Sequence, residues 1–236
     1  MGRHGTIANR KSAQDSKRSA IFTKYSRQII VAAKDGGDPE FNSSLRVAIE
    51  RAKSIGMPNA NIERAVKKGS GELGGESFEE LTFEGYGPSG VAIIVNALTD
   101  NKNRTASFVR STFDKNSGNL GTPGCVSYMF QRKGVILIER KDGIDEDAVM
   151  MDALEAGAED VITNDDNFEI RTEPSLFNDV HKAISDAGYE IVEAEIEHIP
   201  SMEATVSEND IKSLKKLIDT LEDNDDVQNV YYNCEL

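Results

Sequence analysis

The chain has 236 residues, of which 38% are hydrophobic and 29% charged, and its formal net charge at pH 7 is −14. This composition is typical of a globular protein with enough apolar residues for a core, at a length of one large domain or roughly two to three small ones. Because it contains neither a run of 18 apolar residues nor an apolar N-terminal segment, a membrane span and a signal peptide are excluded, and we expect a cytoplasmic protein.

The charge is distributed unevenly along the chain. Residues 1–75 contain 14 basic and 7 acidic residues, a balance of +7; subtraction from the totals of 27 and 41 leaves 13 and 34, a balance of −21, for residues 76–236. The first 34 residues alone contain eight basic residues and one acid, Asp15. This division indicates an N-terminal module with a polyanionic partner, because the acidic remainder would repel nucleic acid. The alternative is a charged helix face that is merely solvated.

The first predicted element is an amphipathic helix that begins near Ser12–Asp15 and ends at Gly36–Gly37. At 100° per residue, one arc of about 100° is cationic and the opposite side is apolar. The cations are Lys17, Lys24, Arg27 and Lys34, and the apolar residues are Phe22, Tyr25, Ile29 and Ala33. A stripe of one sign favours polyanion binding over simple solvation. Arg10, Lys11 and Arg18 fall outside the arc, and we expect them to extend it as a basic arm.

Two shorter helices complete a predicted three-helix module over residues 1–76. One ends near Gly56, and the other, NANIERAVKK, is closed by Gly69. Lys67 and Lys68 lie in its last turn, where they fit either the helix dipole or a secondary contact with nucleic acid. The glycines of GSGELGGES match the dinucleotide fingerprint, but a helix precedes them and a strand follows. That context is the reverse of the required one, so no cofactor is predicted.

From Phe78 the apolar pattern changes to that of strands. EELTFEGYG and VAIIVNAL (91–98) predict two strands, a helix follows from about Asn103 to Ser117, and CVSYMF (125–130) predicts another strand. Lys102 and Arg104 lie where that helix begins. They fit either a phosphate contact or a structural role beside the helix cap.

The pattern over residues 132–200 predicts β-α-β-β-α-β, the ferredoxin-like order. EATV (203–206) predicts a further strand, a helix follows Ser207, and VQNVYYN predicts the last strand. The fold class is therefore multidomain α+β, with a three-helix module followed by two ferredoxin-like α+β domains. One of these (132–200) is inserted into the other, which is split between residues 77–131 and 201–236.

Catalytic chemistry has little support in the sequence. His4, His181 and His198 are scattered without metal-ligand spacing, and Cys125 and Cys234 are far apart. Neither a hydrolase nucleophile elbow nor a Walker A loop is present. We therefore expect no enzyme, no metal, no cofactor and no small-molecule substrate.

Several longer stretches resemble the YebC/PmpR family, in order and over nearly the whole chain. They are RKSAQDSKR, AAKDGGDPE, MPNANIERAVKKG, FEGYGPSGVAIIVNALTDNKNRT, GNLGTPGCVSYMF and DDVQNVYYN. The resemblance implies a three-domain cytoplasmic protein with a non-enzymatic role in gene expression. Proteins similar to this one are described as DNA-binding transcriptional regulators, and others, including mitochondrial relatives, as translational activators that help ribosomes through proline runs. Where family members often carry tryptophan, this chain has Thr6-Ile7.

The predicted nucleic-acid-binding residues are the cations of the stripe and the arm. They are Arg10, Lys11, Lys17, Arg18, Lys24, Arg27 and Lys34. Seven phosphate contacts imply a log–log salt slope of at most about −6 on duplex DNA and about −5 on single strands. DNA at a promoter and ribosomal RNA are both open as targets, and an acidic protein is the alternative outside nucleic acids. The acidic domains are expected to face protein partners or to position the helical module.

Overall fold

The computed structural model describes residues 18–74, 77–141 and 143–236, with the side chains of Arg18 and Ser19 outside that description. Three helices come first, and two four-stranded antiparallel sheets follow, each with two helices. The elements in chain order are α1 (Arg18–Ala32), α2 (Ser43–Ser54), α3 (Asn59–Gly69), β1 (Glu79–Tyr86), β2 (Ala92–Thr99), α4 (Lys102–Lys115), β3 (Asn119–Leu120), β4 (Phe130–Glu139), α5 (Glu146–Glu155), β5 (Asp160–Thr163), β6 (Asn167–Thr172), α6 (Phe177–Asp186), β7 (Ile191–Pro200), α7 (Glu208–Glu222) and β8 (Val227–Tyr232). The predicted α+β fold class is confirmed.

The helical module is held together by an apolar cluster between α1, α2 and α3. Ile29, Ala33, Leu45 and Ala52 are fully buried in it. α1 and α3 approach closely at Gly69, where a Cβ atom would lie 2.4 Å from the carbonyl oxygen of Ile30. The apolar side predicted for α1 is therefore the side that packs into this core.

The first sheet has the strand order β3-β1-β2-β8. β1 and β2 form an antiparallel hairpin, and β8, from the C-terminal end of the chain, pairs with the other side of β2. Ile93 and Val95 of β2 pack against Phe113 of α4 and Leu214 of α7. Ala92 and Ile94, on the other face of β2, pack with Val126 and Phe130, so the continuous apolar run of β2 reflects burial of both its faces.

The second sheet has the order β5-β6-β4-β7 and the predicted β-α-β-β-α-β sequence of elements. Ile136, Phe168 and Ile170 pack with Val149 of α5 and Val180 of α6 on one face. Val47 of α2 joins the same cluster, so the helical module contributes to this core. Residues 130–200 supply every strand of this sheet, as the predicted insertion requires; the domain boundaries themselves stay a prediction.

The strand predicted over CVSYMF is wrong. Ser127–Met129 form a 3-10 turn, and β4 begins only at Phe130. The backbone N–H groups of Gly124, Val126 and Ser127 donate to the carboxylate of Glu84 at 2.8 to 2.9 Å. Glu84 lies on β1, and because its carboxylate already accepts from these three N–H groups, they cannot donate to a neighbouring strand. Burial raises the pKa of Glu84, and these hydrogen bonds outweigh it and leave that pKa lowered.

The strand predicted over EATV is also wrong. The segment runs beside the C-terminus, where the Ala204 N–H donates to the Asn233 carbonyl oxygen at 2.6 Å, but it forms no strand in the described structure. The two-residue strand β3, which pairs with Gly85 and Tyr86, was not predicted. It is too short to show an alternating pattern.

The long edge strands of the two sheets, β7 and β8, face each other. Asn229 Nδ2 on β8 donates to Glu195 Oε2 on β7 at 3.3 Å, and the Tyr231 hydroxyl lies 3.5 Å from the Ile196 carbonyl oxygen. The opposite edges are β3 and β5, with two and four residues. Among the described residues, no helix is long and apolar enough to cross a bilayer.

Candidate nucleic-acid interface

The cationic stripe predicted on α1 lies against the first sheet and its surroundings. Lys24 Nζ donates to the carbonyl oxygen of Glu222 at 2.7 Å, and Lys34 Nζ donates to that of Phe78 at 2.6 Å. Glu222 ends α7, so its carbonyl oxygen belongs to the last turn, where the carbonyl oxygens have no N–H donors within the helix and a cation is favoured. The α-helix ends at Ala32, before the predicted end at Gly36–Gly37, and Lys34 lies in a 3-10 turn, Ala33–Asp35, that follows it. The two lysines therefore hold α1 and this turn against the end of α7 and the segment before β1.

Arg27, in the middle of the stripe, is largely buried, with 14% of its side chain exposed. Its Nη1 donates to Asp226 Oδ1 at 2.8 Å, to the Leu98 carbonyl oxygen at 3.3 Å and to the Asp225 carbonyl oxygen. The guanidinium also lies over the ring of Phe78, 5.2 Å from its centroid. One cation thus joins α1 to the end of β2, the segment before β1 and the segment before β8.

Asp226 is the centre of this junction. Its carboxylate is buried and accepts from Arg27, from Arg104 Nη2 at 2.8 Å, from Thr105 Oγ1 at 2.8 Å and from Thr99 Oγ1 at 3.3 Å. Burial raises the pKa of Asp226, but the hydrogen bonds of Arg104 and Thr105 and the charge of Arg27 outweigh it, so the net pKa is lowered. Arg27, which the sequence assigned to nucleic acid, and Arg104, which it left open between a phosphate contact and a structural role, therefore meet at one carboxylate of the same chain.

The other predicted residues are less enclosed. Lys102 Nζ pairs with Glu79, and both side chains are more than half exposed. Lys67 is exposed in the last turn of α3, and Lys68 is half-buried. Arg10, Lys11 and Lys17 lie outside the described residues, as does the side chain of Arg18, the first residue of α1.

A second buried ion pair joins the helical module to the second sheet. Arg51 Nη2 donates to Glu195 Oε2 at 2.7 Å, and the guanidinium lies 5.4 Å from the ring centroid of Tyr25. Burial lowers the pKa of Arg51, and the charge of Glu195 outweighs it and raises that pKa. The helical spacing of α2 placed Ile49 and Ala52 inward, but nothing in the sequence identified this pair, because its partner is 144 residues away.

Alternate residues of β7 form an acidic cluster beside that pair. Carboxylate oxygens of Glu193, Glu195 and Glu197 lie within 4.8 Å of one another. The guanidinium of Arg51 already supplies a positive charge at Glu195, 2.7 Å away. We therefore assign no metal to this cluster.

Comparisons with known proteins cover nearly the whole chain. A family model described as the TACO1/YebC protein N-terminal domain matches residues 3–72, and one described as the TACO1/YebC second and third domain matches residues 78–234. A probable transcriptional regulatory protein of Clostridioides difficile is 53% identical over 238 residues, covering 100% of both chains. Another from Caldanaerobacter subterraneus is 55% identical over 231 residues, covering 98% of this chain and 95% of its own.

A solved structure extends the similarity to three dimensions. The crystal structure of a conserved hypothetical protein, Aq1575 from Aquifex aeolicus, superimposes with a TM-score of 0.84 at 46% sequence identity. The match covers 94% of this chain and 91% of that one. Sequence, domain models and fold agree, and the chain belongs to the TACO1/YebC family, the family that its sequence motifs indicated under the name YebC/PmpR.

Proposed function

We propose that this protein is a non-enzymatic, nucleic-acid-binding regulator of gene expression that contacts the phosphate backbone through its basic N-terminal segment. The observation that carries the proposal is the charge division, +7 over residues 1–75 against −21 over the rest, by subtraction from the formal net charge of −14. The names of the relatives, probable transcriptional regulatory proteins, support a regulatory role. We therefore place DNA first among the targets.

The seven predicted cations divide into two groups with different tasks. Lys24, Arg27 and Lys34 already have acceptors within the chain, and withdrawing Arg27 would leave the buried carboxylate of Asp226 with one fewer cation. Breaking such a buried ion pair costs about 3–5 kcal/mol, and the free energy of a single phosphate contact does not offset this cost. We assign these three to anchoring α1, and the contact with nucleic acid to Arg10, Lys11, Lys17 and Arg18, with Lys67 as a secondary contact.

The contact is directed at the backbone rather than at bases. Phe22, Tyr25 and Phe78 pack into the core of the helical module, and among its described aromatic side chains only Phe41 is exposed. Stacking platforms for single strands use successive aromatic rings, which this surface does not offer. Binding governed by charge and shape also suits structured RNA, so a ribosome-associated translation factor is the second candidate.

The salt dependence of binding tests the assignment. Four phosphate contacts predict that the logarithm of the binding constant falls with the logarithm of the salt concentration with a slope of about −4 on duplex DNA and about −3 on a single strand. Seven contacts would give steeper slopes, of about −6 and about −5. We expect the variant Arg10→Glu, Lys11→Glu, Lys17→Glu to lose most affinity for a fluorescent 20-base-pair duplex in anisotropy titrations, with a reduced slope. The matched control is Lys212→Glu, Lys215→Glu, Lys216→Glu, which makes the same charge change on the exposed face of α7.

An equal loss in both variants would show a general charge effect and contradict the assigned site. No loss in the N-terminal variant would remove the proposal altogether. The same titrations with a structured RNA, together with ribosome sedimentation and promoter pull-down at one salt concentration, decide between the two candidates. Selective enrichment of promoter fragments supports the transcriptional role, and co-sedimentation with ribosomes supports the translational one.

A further inference from the structure

Helix α5 of the second sheet leaves an apolar ridge in solvent. Met150, Met151 and Leu154 are 41%, 61% and 48% exposed. At helical spacing these three fall within an arc of about 100°. Leu176 is 41% exposed and lies next to the end of this helix, with Cδ1 3.7 Å from the position of a Cβ on Gly157. We call these four side chains the methionine ridge.

The methionine ridge is not needed for the core of its own domain. A different face of α5 buries Val149 and Ala153 completely against the sheet. Single exposed apolar residues are ordinary, but a contiguous group of them marks an interaction surface. Methionine is common on such surfaces, since its flexible, polarizable side chain adapts to different partners.

The stretch of sequence that contains the ridge is acidic. Residues 142–170 contain eleven aspartates and glutamates and no lysine or arginine. Some of these acids are paired, as Glu146 is with Arg140 and Glu159 with Lys133. Asp147, one turn before Met150, and Glu155, one turn after Met151, have no ion-pair partner in the described part of the chain. Unneutralised carboxylates therefore border apolar side chains.

We propose that the methionine ridge is a docking surface for a basic amphipathic helix of a protein partner. Aliphatic side chains of such a helix at i, i+3 or i+4 contact the ridge, and its lysines or arginines reach Asp147 and Glu155. Charge disfavours the other occupants: a second copy that met this one ridge to ridge would bring two acidic surfaces together, and nucleic acid or an anionic membrane would be repelled. The ridge and the proposed nucleic-acid contact share no residue, so the two proposals fail independently.

A model peptide supplies the test. The full-length ¹⁵N-labelled protein is titrated with an amphipathic 18-residue helix of leucine and lysine, and with a scrambled peptide of the same composition that has no apolar face. We expect chemical-shift changes concentrated on α5 and around Leu176, and at least about tenfold weaker binding of the scrambled peptide.

Two pairs of variants separate the contributions. Met150→Ser, Met151→Ser, Leu154→Ser should weaken binding of the amphipathic peptide about tenfold or more, whereas Met202→Ser, Leu236→Ser, at other exposed apolar positions, should leave it unchanged. Asp147→Lys, Glu155→Lys should weaken binding and reduce its salt dependence, in contrast to Glu208→Lys, Asp219→Lys on α7.

Three outcomes would overturn the proposal. The scrambled peptide binds as tightly as the amphipathic one, the ridge and control variants lose the same affinity, or the shift changes map elsewhere. Sedimentation equilibrium covers the remaining case, because a dimer that the ridge variants abolish would assign the surface to a second copy. The amide spectrum of each variant verifies that it is folded.

Discussion

The two buried arginine–carboxylate junctions differ in how completely their polar atoms are satisfied. Both join the helical module to a sheet, and both carboxylates are 6% exposed. Asp226 accepts from two arginines and two threonines, whereas at the other junction Arg51 Nε is buried with no hydrogen-bond partner among the described residues. A saturated network fixes one geometry, whereas a partly satisfied pair adds little beyond what apolar side chains would supply.

Removing the saturated carboxylate should have the largest effect. Asp226→Ala leaves Arg27 and Arg104 without their common acceptor, and we expect the free energy of unfolding to fall by about 3–5 kcal/mol. The measurement is urea denaturation followed by circular dichroism. Asp225→Ala, which truncates the exposed neighbouring carboxylate, is the matched control and should change stability by less than about 0.5 kcal/mol. Equal stabilities of the two variants would contradict the central role of Asp226.

Lowering the pH should affect the two junctions one after the other. His181 is buried beside the Arg51 junction, where burial and then the charges of Arg46 and Arg51 lower its pKa to about 4. The histidine therefore binds a proton more readily in the unfolded chain than in the folded one. As the pH drops from about 6.5 to 4, the free energy of unfolding falls by an amount on the order of 2–3 kcal/mol. Asp226, with its lowered pKa, loses its contribution only below about pH 3.9, as the carboxylate is protonated.

Denaturation series at pH 7, 6, 5, 4 and 3 measure this dependence. His181→Leu should flatten the curve between pH 6.5 and 4 without affecting the loss at lower pH. His198, whose pKa is lowered by burial and then by Arg132, acts in the same direction, so some slope remains in the variant. An unchanged pH dependence in His181→Leu would show that this histidine does not titrate as inferred.

The smallest effect is expected when the incomplete junction is replaced as a whole. The double variant Arg51→Met, Glu195→Leu removes both charges together with the unsatisfied Nε, and we expect stability to stay within about 1 kcal/mol of the parent. Arg51→Met alone should be clearly less stable, since it leaves Glu195 buried without a cation. A double variant as unstable as the single one would mean that both junctions are equally indispensable.

Much of the fold followed from patterns within single elements. The apolar runs of β2 and β4, the helical spacing of α2 and α7 and the order of elements between residues 132 and 200 each depend on neighbours in the chain. The strand predicted at CVSYMF failed because Glu84, 40 residues from Gly124, takes the backbone donors that a sheet would need. That contact joins distant parts of the chain, and no local pattern contains it.

The candidate site was harder to predict for the same reason. Helical geometry grouped Lys24, Arg27 and Lys34 on one side of α1, but it did not identify what that side faces. Arg27 meets Asp226, which is 199 residues away, and no local pattern around either residue connects the two. A stripe of one charge sign therefore indicates a partner of opposite charge. It does not indicate whether that partner is a ligand or another part of the same chain.

The meeting of β7 and β8 also bears on how the protein behaves in a crowded solution. A sheet edge exposes unpaired N–H and C=O groups to which a strand of another molecule can add. Here side chains of β8 contact Glu195 and the Ile196 carbonyl oxygen of β7, and the opposite edges, β3 and β5, are only two and four residues long. The two short edges offer few backbone groups to a strand of another molecule, and this limits strand-to-strand aggregation at these edges without a dedicated blocking element.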